Sequence, residues 1–178
     1  AHATQTTPAG ARDLDELGLL DYIRASARVG RAGDAGYIIS GECTTTRKES
    51  SEASFVLIDY DDNPAGPDWA ALDAYAGFAW TTASGHPHWR VLIPLLCPMA
   101  HGKLECPFPG GHIRNRTQPA FLPTHRTDVN AIQWRLLEGT QLLDGEALGK
   151  PVAAYAPAAA SMLGAVFTAA GMAEGEQT

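Results

Sequence analysis

The run Phe55-Val-Leu-Ile-Asp-Tyr-Asp-Asp62 constrains the fold more than any other part of the chain. Residues Ser54–Tyr60 form a short, unbroken apolar stretch with β-branched and aromatic members, closed by turn-forming residues, which predicts a buried strand. A strand sends alternate side chains to opposite faces, so Asp59 and Asp61 are expected on one face where the strand meets a turn. Two neighbouring carboxylates repel unless something positive lies between them. A divalent cation meets that need, since Mg²⁺ or Mn²⁺ takes one or two carboxylates together with substrate phosphates. A solvated acidic turn reads equally well from the pair alone. D-x-D also occurs in enzymes that bind nucleotide sugars through a metal, so the motif does not name a reaction.

Around this strand the pattern alternates short strands and helices. Asp13–Val29 is predicted helical, with leucines and Ile23 at helical spacing and Asp13 as N-cap. Further strands are predicted at Tyr37–Ser40, Gly77–Thr82, Trp89–Leu95 and Ala120–Leu122, and a helical segment at Trp69–Tyr75. Ala131–Glu138 reads as strand or short helix, Cys97–Gly111 as a loop rich in Gly and Pro, and Ala153–Ala173 as helical from its alanine content. The expected fold class is α+β (mixed α/β), with a mostly antiparallel central sheet flanked by helices. Residues 1–12 read as a disordered leader or the cut edge of a longer protein, 13–150 as the main domain, and 151–178 as an Ala-rich helical tail or linker.

The 178 residues suffice for one domain with a real core. A net charge of −7 argues against a broadly basic nucleic-acid coat but permits a local basic groove. Two arginine groups are candidates: Arg24, Arg28 and Arg31, and Arg114, Arg116, Arg126 and Arg135. Scattered solvated charge is the alternative for each. Three cysteines do not make a disulfide framework, so a reducing, cytoplasmic setting is expected. No apolar run is long enough for a membrane span.

The second chemistry-bearing segment is Trp80–Leu95, WTTASGHPHWRVLIPL. Two strands flank a turn with Ser84, His86 and His88, and Arg90 follows just inside the second strand. Hydroxyl, imidazole and guanidinium groups placed this way suit a phosphate chain. An ordinary polar hairpin is the alternative.

In this order and spacing, the segments resemble the archaeo-eukaryotic primase superfamily, in the primase-polymerase form found in plasmids, phages and mobile elements. The likeness covers about Tyr37–Leu148. Asp59-Tyr60-Asp61 resembles the first motif, whose acids bind metal, and Ser84-Gly85-His86 the second, whose histidine contacts the incoming nucleotide. Arg90 matches the basic residue opening the following strand. Ser40-Gly41 with Arg47 resembles the entry to the acidic strand, Thr117–Pro123 the segment near the third motif, and Gly139 with Leu143-Asp144 the end of the core.

The resemblance implies an RRM-like core and DNA-directed nucleotidyl transfer that makes or extends primers. It implies Mg²⁺ or Mn²⁺ at Asp59 and Asp61, catalytic work for Asp59, Asp61 and His86, and nucleotide binding by Ser84, His86 and Arg90. Implied partners are nucleoside triphosphates, a single-stranded DNA template and a replicative helicase. The family's third metal-binding acid has no counterpart between Glu105 and Asp128. Asp128 is the substitute by position, ahead of Asp144.

Cys97, His101, Cys106 and His112 could make a tetrahedral zinc site, and the family sometimes carries zinc in this region; a loop with unrelated cysteines is the alternative. Two other functions compete. A rolling-circle nickase would use His86 and His88 around a metal with Tyr155 as nucleophile, although Pro87 is expected to break strand pairing. A degenerate, non-catalytic nucleic-acid-binding module would explain the missing acid.

Overall fold

The computed structural model describes residues 16–40, 52–61, 63–83, 87–100, 102–148 and 166–167. Its centre is a five-stranded antiparallel sheet built from β3 (Ala53–Tyr60), β4 (Phe78–Ala83), β5 (Pro87–Met99), β6 (His112–Ile113) and β9 (Trp134–Leu136), in the order β6-β3-β5-β4-β9. Helix α1 (Glu16–Ser26), the short helices α2 (Trp69–Leu72) and α3 (Gly145–Leu148), and two small sheets accompany it. The parallel pair joins β1 (Arg28–Val29) to β8 (Thr124–His125). The three-stranded antiparallel sheet joins β10 (Val166–Phe167), β2 (Tyr37–Ile38) and β7 (Ala120–Phe121). The class is α+β, as the pattern of elements predicts.

β3 is buried along its whole length because both faces of the sheet are covered, which is why its apolar run does not alternate with polar residues. On one face Phe55, Leu57, Phe78, Trp80 and Leu92 pack against Leu19 and Ile23 of α1, Ile38, Ala120 and Leu122. On the other, Val56, Ile58, Tyr60, Ala79, Val91 and Ile93 pack against Leu72, Leu104, Phe108, Leu137 and Leu143. The helical stripe that reaches the core is Leu19, Ile23 and Ser26, with Leu20 only partly buried.

Several boundaries differ from expectation. α1 stops at Ser26, and Arg28–Val29, expected as its last turn, leaves to pair with Thr124–His125. The N-cap Asp13 lies outside the described residues. α2 is a single turn capped by the Asp68 carboxylate, which accepts from the Ala71 N–H, and Tyr75 instead bridges to Gln141. β5 runs on to Met99, so Cys97 belongs to a strand and not to the loop. Pro94 fits there because β4 stops pairing at Leu92, leaving no carbonyl that needs its missing N–H, and β3 shifts register between Ala53 and Phe55. Pro87 likewise pairs with Ala83 as the first residue of its strand, so it does not break the hairpin. Ala131–Glu138 resolves into the end of a 3₁₀ turn, Val129–Ala131, followed by β9. Val166–Phe167, expected as helix, is a strand on β2; the rest of the Ala-rich segment lies outside the described residues, as do residues 1–15 and most of the boundary near residue 150.

Two glycines permit close backbone crossings. At Gly77 (φ +143°) an added Cβ would lie 2.1 Å from the Leu92 carbonyl oxygen, and at Gly139 one would lie 2.1 Å from the Ala74 carbonyl. Gly77→Ala is therefore expected to lower stability by about 2 kcal/mol or more, through both strain and clash. Urea unfolding followed by circular dichroism measures it as a drop in midpoint; an unchanged midpoint would mean that β4 can shift away from β5 without cost.

Candidate anion-binding cleft

The sheet face that packs on α1 changes character along its strands. On β3 the sequence of residues on that face is Phe55, Leu57, Asp59, continued by Asp61 just past the strand end. Opposite it on β5 come Leu92, Arg90 and His88, and on β4 Phe78, Trp80 and Thr82, in the register Asp59↔Arg90, Trp80↔Arg90 and Thr82↔His88. One end of the face is hydrophobic core and the other is charged. A cleft of about 1200 Å³ opens over the charged end. Asp61, Thr82, His88, Arg90 and Arg114 line its sheet side. Gly30, Arg31, Ala32 and Asp34 of the turn after β1 line one wall, with Phe121, Leu122, Thr124 and Arg126 of the β7–β8 segment.

Asp59 lies beneath this cleft, 6% exposed, between two guanidinium groups. Arg90 donates from Nε to Asp59 Oδ1 at 2.6 Å and from an Nη1 group to the Phe121 carbonyl at 2.6 Å. Arg114 meets the other carboxylate oxygen through Nε and donates to the Pro119 carbonyl at 3.0 Å. Arg114 is placed by its strand: the residue follows β6, and its backbone N–H bonds the Leu57 carbonyl. Burial pushes the Arg114 guanidinium below its ordinary pKa and the neighbouring Arg90 pushes the same way, while Asp59 and Asp61 oppose them. Positive charge is thus concentrated at a desolvated site.

At the rim, Asp61 is half exposed, and its Oδ1 lies 3.9 Å from His88 Nδ1. The expectation that Asp59 and Asp61 share a face agrees with this arrangement, but their surroundings differ. Asp59 is enclosed by arginines and only Asp61 lines the cleft. Asp128 turns its carboxylate to the Asn130 N–H of its own 3₁₀ turn, and Asp144 caps α3 through Glu146 and Ala147. Neither joins the first two acids. Ser84 and His86 lie outside the described residues, between β4 and β5 in the chain. Arg47 and Tyr155 also lie outside. Among the described residues, no group of three or more His, Cys, Asp or Glu side chains is gathered where it could hold a metal ion. Cys97, Cys106 and His112 are consequently not assembled as a zinc set, and His101 is outside the described residues.

The arginine groups divide. Arg31, Arg114 and Arg126 reach the cleft, whereas Arg135 pairs with Asp73 and stacks over Trp69 at 4.7 Å, and Arg24 lies 5.7 Å from the Trp134 ring centroid. Beside Arg90 the cleft takes His88, which the sequence groups with Ser84 and His86 at the turn and which the structure places on β5. Its i, i+2 relation to Arg90 on an alternating strand was the available signal. No family model, curated protein or solved structure matches this chain. The fold and site together define an α+β domain with an arginine-rich cleft at one end of its sheet.

Cys97 is exposed, whereas Cys106 is partly buried, and burial raises its thiol pKa despite an opposing hydrogen bond with the Phe108 backbone. A raised pKa leaves less thiolate at pH 8, so Cys106 should react with iodoacetamide slower than Cys97 by about an order of magnitude, and should speed up as the pH rises. Peptide mapping by mass spectrometry reads both rates; equal rates at pH 8 would contradict the described burial.

Proposed function

We propose that the cleft binds the polyphosphate of a nucleoside triphosphate and that the chain is a nucleotidyl-transfer domain of the primase-polymerase type with an RRM-like core. The observation that carries this reading is the gathering of Arg31, Arg90, Arg114 and Arg126 in one cleft of a protein whose net charge is −7. Guanidinium groups pair well with phosphate oxygens, and a concave, partly desolvated site strengthens each pairing. Thr82 of β4 and His88 of β5 add a hydroxyl and an imidazole to the cleft lining.

The acids present suit one divalent ion better than two. Asp59 has both oxygens engaged by arginine, so Asp61 is the acid that would hold Mg²⁺ or Mn²⁺. Such an ion supplies Lewis-acid polarisation of the phosphoryl group and activation of an attacking hydroxyl. The chain's own part is to seat the triphosphate on the arginines and to keep the reacting end beside Asp61 and His88. A single-stranded template and a helicase partner belong to the same reading.

One observation favours a second reading, a nucleotide-binding module without catalysis. With Asp59 neutralised and Asp128 turned to its own helix, the three-acid set of an active primase is not assembled.

Primer extension with dNTPs or NTPs and Mn²⁺ separates the two. On the leading reading, Asp61→Ala lowers incorporation by about a hundredfold or more while nucleotide affinity in EDTA stays within about threefold, because the acid serves the metal and not the arginines. Arg126→Ala raises KM several-fold with kcat little changed. Nucleotide binding without any incorporation by the unaltered chain selects the second reading, and Asp61→Ala incorporating at the unaltered rate removes the first.

A further inference from the structure

We infer that Asp59 is a positioning residue, whose buried carboxylate holds Arg90 and Arg114 side by side as a floor that takes an oxyanion without a metal ion. The inference rests on the cleft reading above only for the identity of the natural ligand, a nucleotide polyphosphate. Asp59 does not itself line the cleft, but both of its arginine partners do. Each guanidinium is fixed from two directions, by a carboxylate oxygen of Asp59 and by a backbone carbonyl, Phe121 for Arg90 and Pro119 for Arg114. Those carbonyls belong to the segment that also forms the cleft wall, so the floor and the wall are built as one piece.

The surplus of guanidinium over carboxylate at the floor favours an anion above it. Two guanidiniums share one buried carboxylate, and a buried charge without a partner is costly. Asp61 answers part of the surplus from the rim, where it also faces His88. Arg31 and Arg126 add positive charge at the mouth, against Asp34, whose carboxylate accepts from the Arg31 backbone N–H. A phosphate group lying over the floor would complete the pairing of Arg90 and Arg114 from the side opposite Asp59. The same geometry argues against a metal ion at Asp59, because a cation there would have to displace two guanidiniums that are already hydrogen-bonded to the backbone.

Inorganic tripolyphosphate, titrated calorimetrically into the full chain in EDTA, is the direct probe. The unaltered chain should bind it. Asp59→Asn, which keeps an acceptor for one arginine only, should bind it about tenfold more weakly, in line with loss of one charged hydrogen bond. Arg90→Lys retains the charge but cannot span Asp59 and Phe121 together, and should lose a similar factor. Thermal melts of each variant show whether the fold persists; because Arg90→Lys keeps the ion-pair charge, it remains informative if Asp59→Asn does not fold. In parallel, Mn²⁺ titrated at nucleotide concentrations that saturate each variant should bind Asp59→Asn within about threefold of the unaltered chain, while Asp61→Asn loses about tenfold.

Three results would overturn the inference: no tripolyphosphate binding by the unaltered chain in EDTA, affinity in Asp59→Asn or Arg90→Lys equal to or tighter than the unaltered chain, or loss of Mn²⁺ binding in Asp59→Asn with tripolyphosphate affinity intact. Tripolyphosphate binding with the expected variant pattern but no binding of dNTPs or NTPs would retain the positioning role and discard the nucleotide reading.

Discussion

The antiparallel register between β3 and β5 sets Asp59 opposite Arg90, and much of the molecule follows from that cross-strand pair. The same register brings Leu57 beside Leu92 and Ile58 beside Val91, so the residues that bury the sheet and those that build the cleft are placed by one ladder of hydrogen bonds. A slip by one residue would send Asp59 into the Ile58–Val91 face and leave a carboxylate in apolar surroundings, a cost of several kcal/mol. The ion pair therefore selects the register as much as it depends on it. Arg114 reinforces the choice from the other edge of β3, where β6 pairs Ile58 with Ile113 and Asp59 with His112.

This arrangement divides the labour between two acids that look equivalent as D-x-D. Asp59 spends its charge on two arginines inside the protein, while Asp61, one step past the strand, faces the cleft and His88. Burial alone makes the difference. A carboxylate in a low-dielectric interior needs its positive partners close and fixed, and one at a rim can exchange them for solvent or ligand. The cleft gains aimed guanidiniums from the first and an accessible oxygen donor from the second.

Local pattern carried the strand assignments because apolar runs bounded by turn residues have few other outcomes. β3, β4 and most of β5 lie where the periodicity places them, and the shared face of Asp59 and Asp61 follows from the two-residue repeat. Failures fall where distant partners decide. Arg28–Val29 leave a helical pattern because Thr124–His125 offer a strand to pair with, and Val166–Phe167 leave an alanine-rich one because β2 has an open edge. Cys97 moved from loop to strand because β3 extends far enough to pair with Met99. Propensity is a weak prior against such pairings.

The candidate site was legible in part. Asp61 and Arg90 were visible from motif position, and His88 from its place in the same turn. Arg31, Arg114 and Arg126 were visible only as members of charge clusters that also contain Arg24 and Arg135, which serve other contacts. By itself the sequence determined that a buried strand ends in two same-face acids ahead of a basic hairpin, because strand alternation and turn chemistry are local. Only the tertiary structure decided that the first acid is closed in by one arginine from β5 and another from just after β6, because the partner of a buried charge is chosen by packing across the sheet and not by neighbours along the chain.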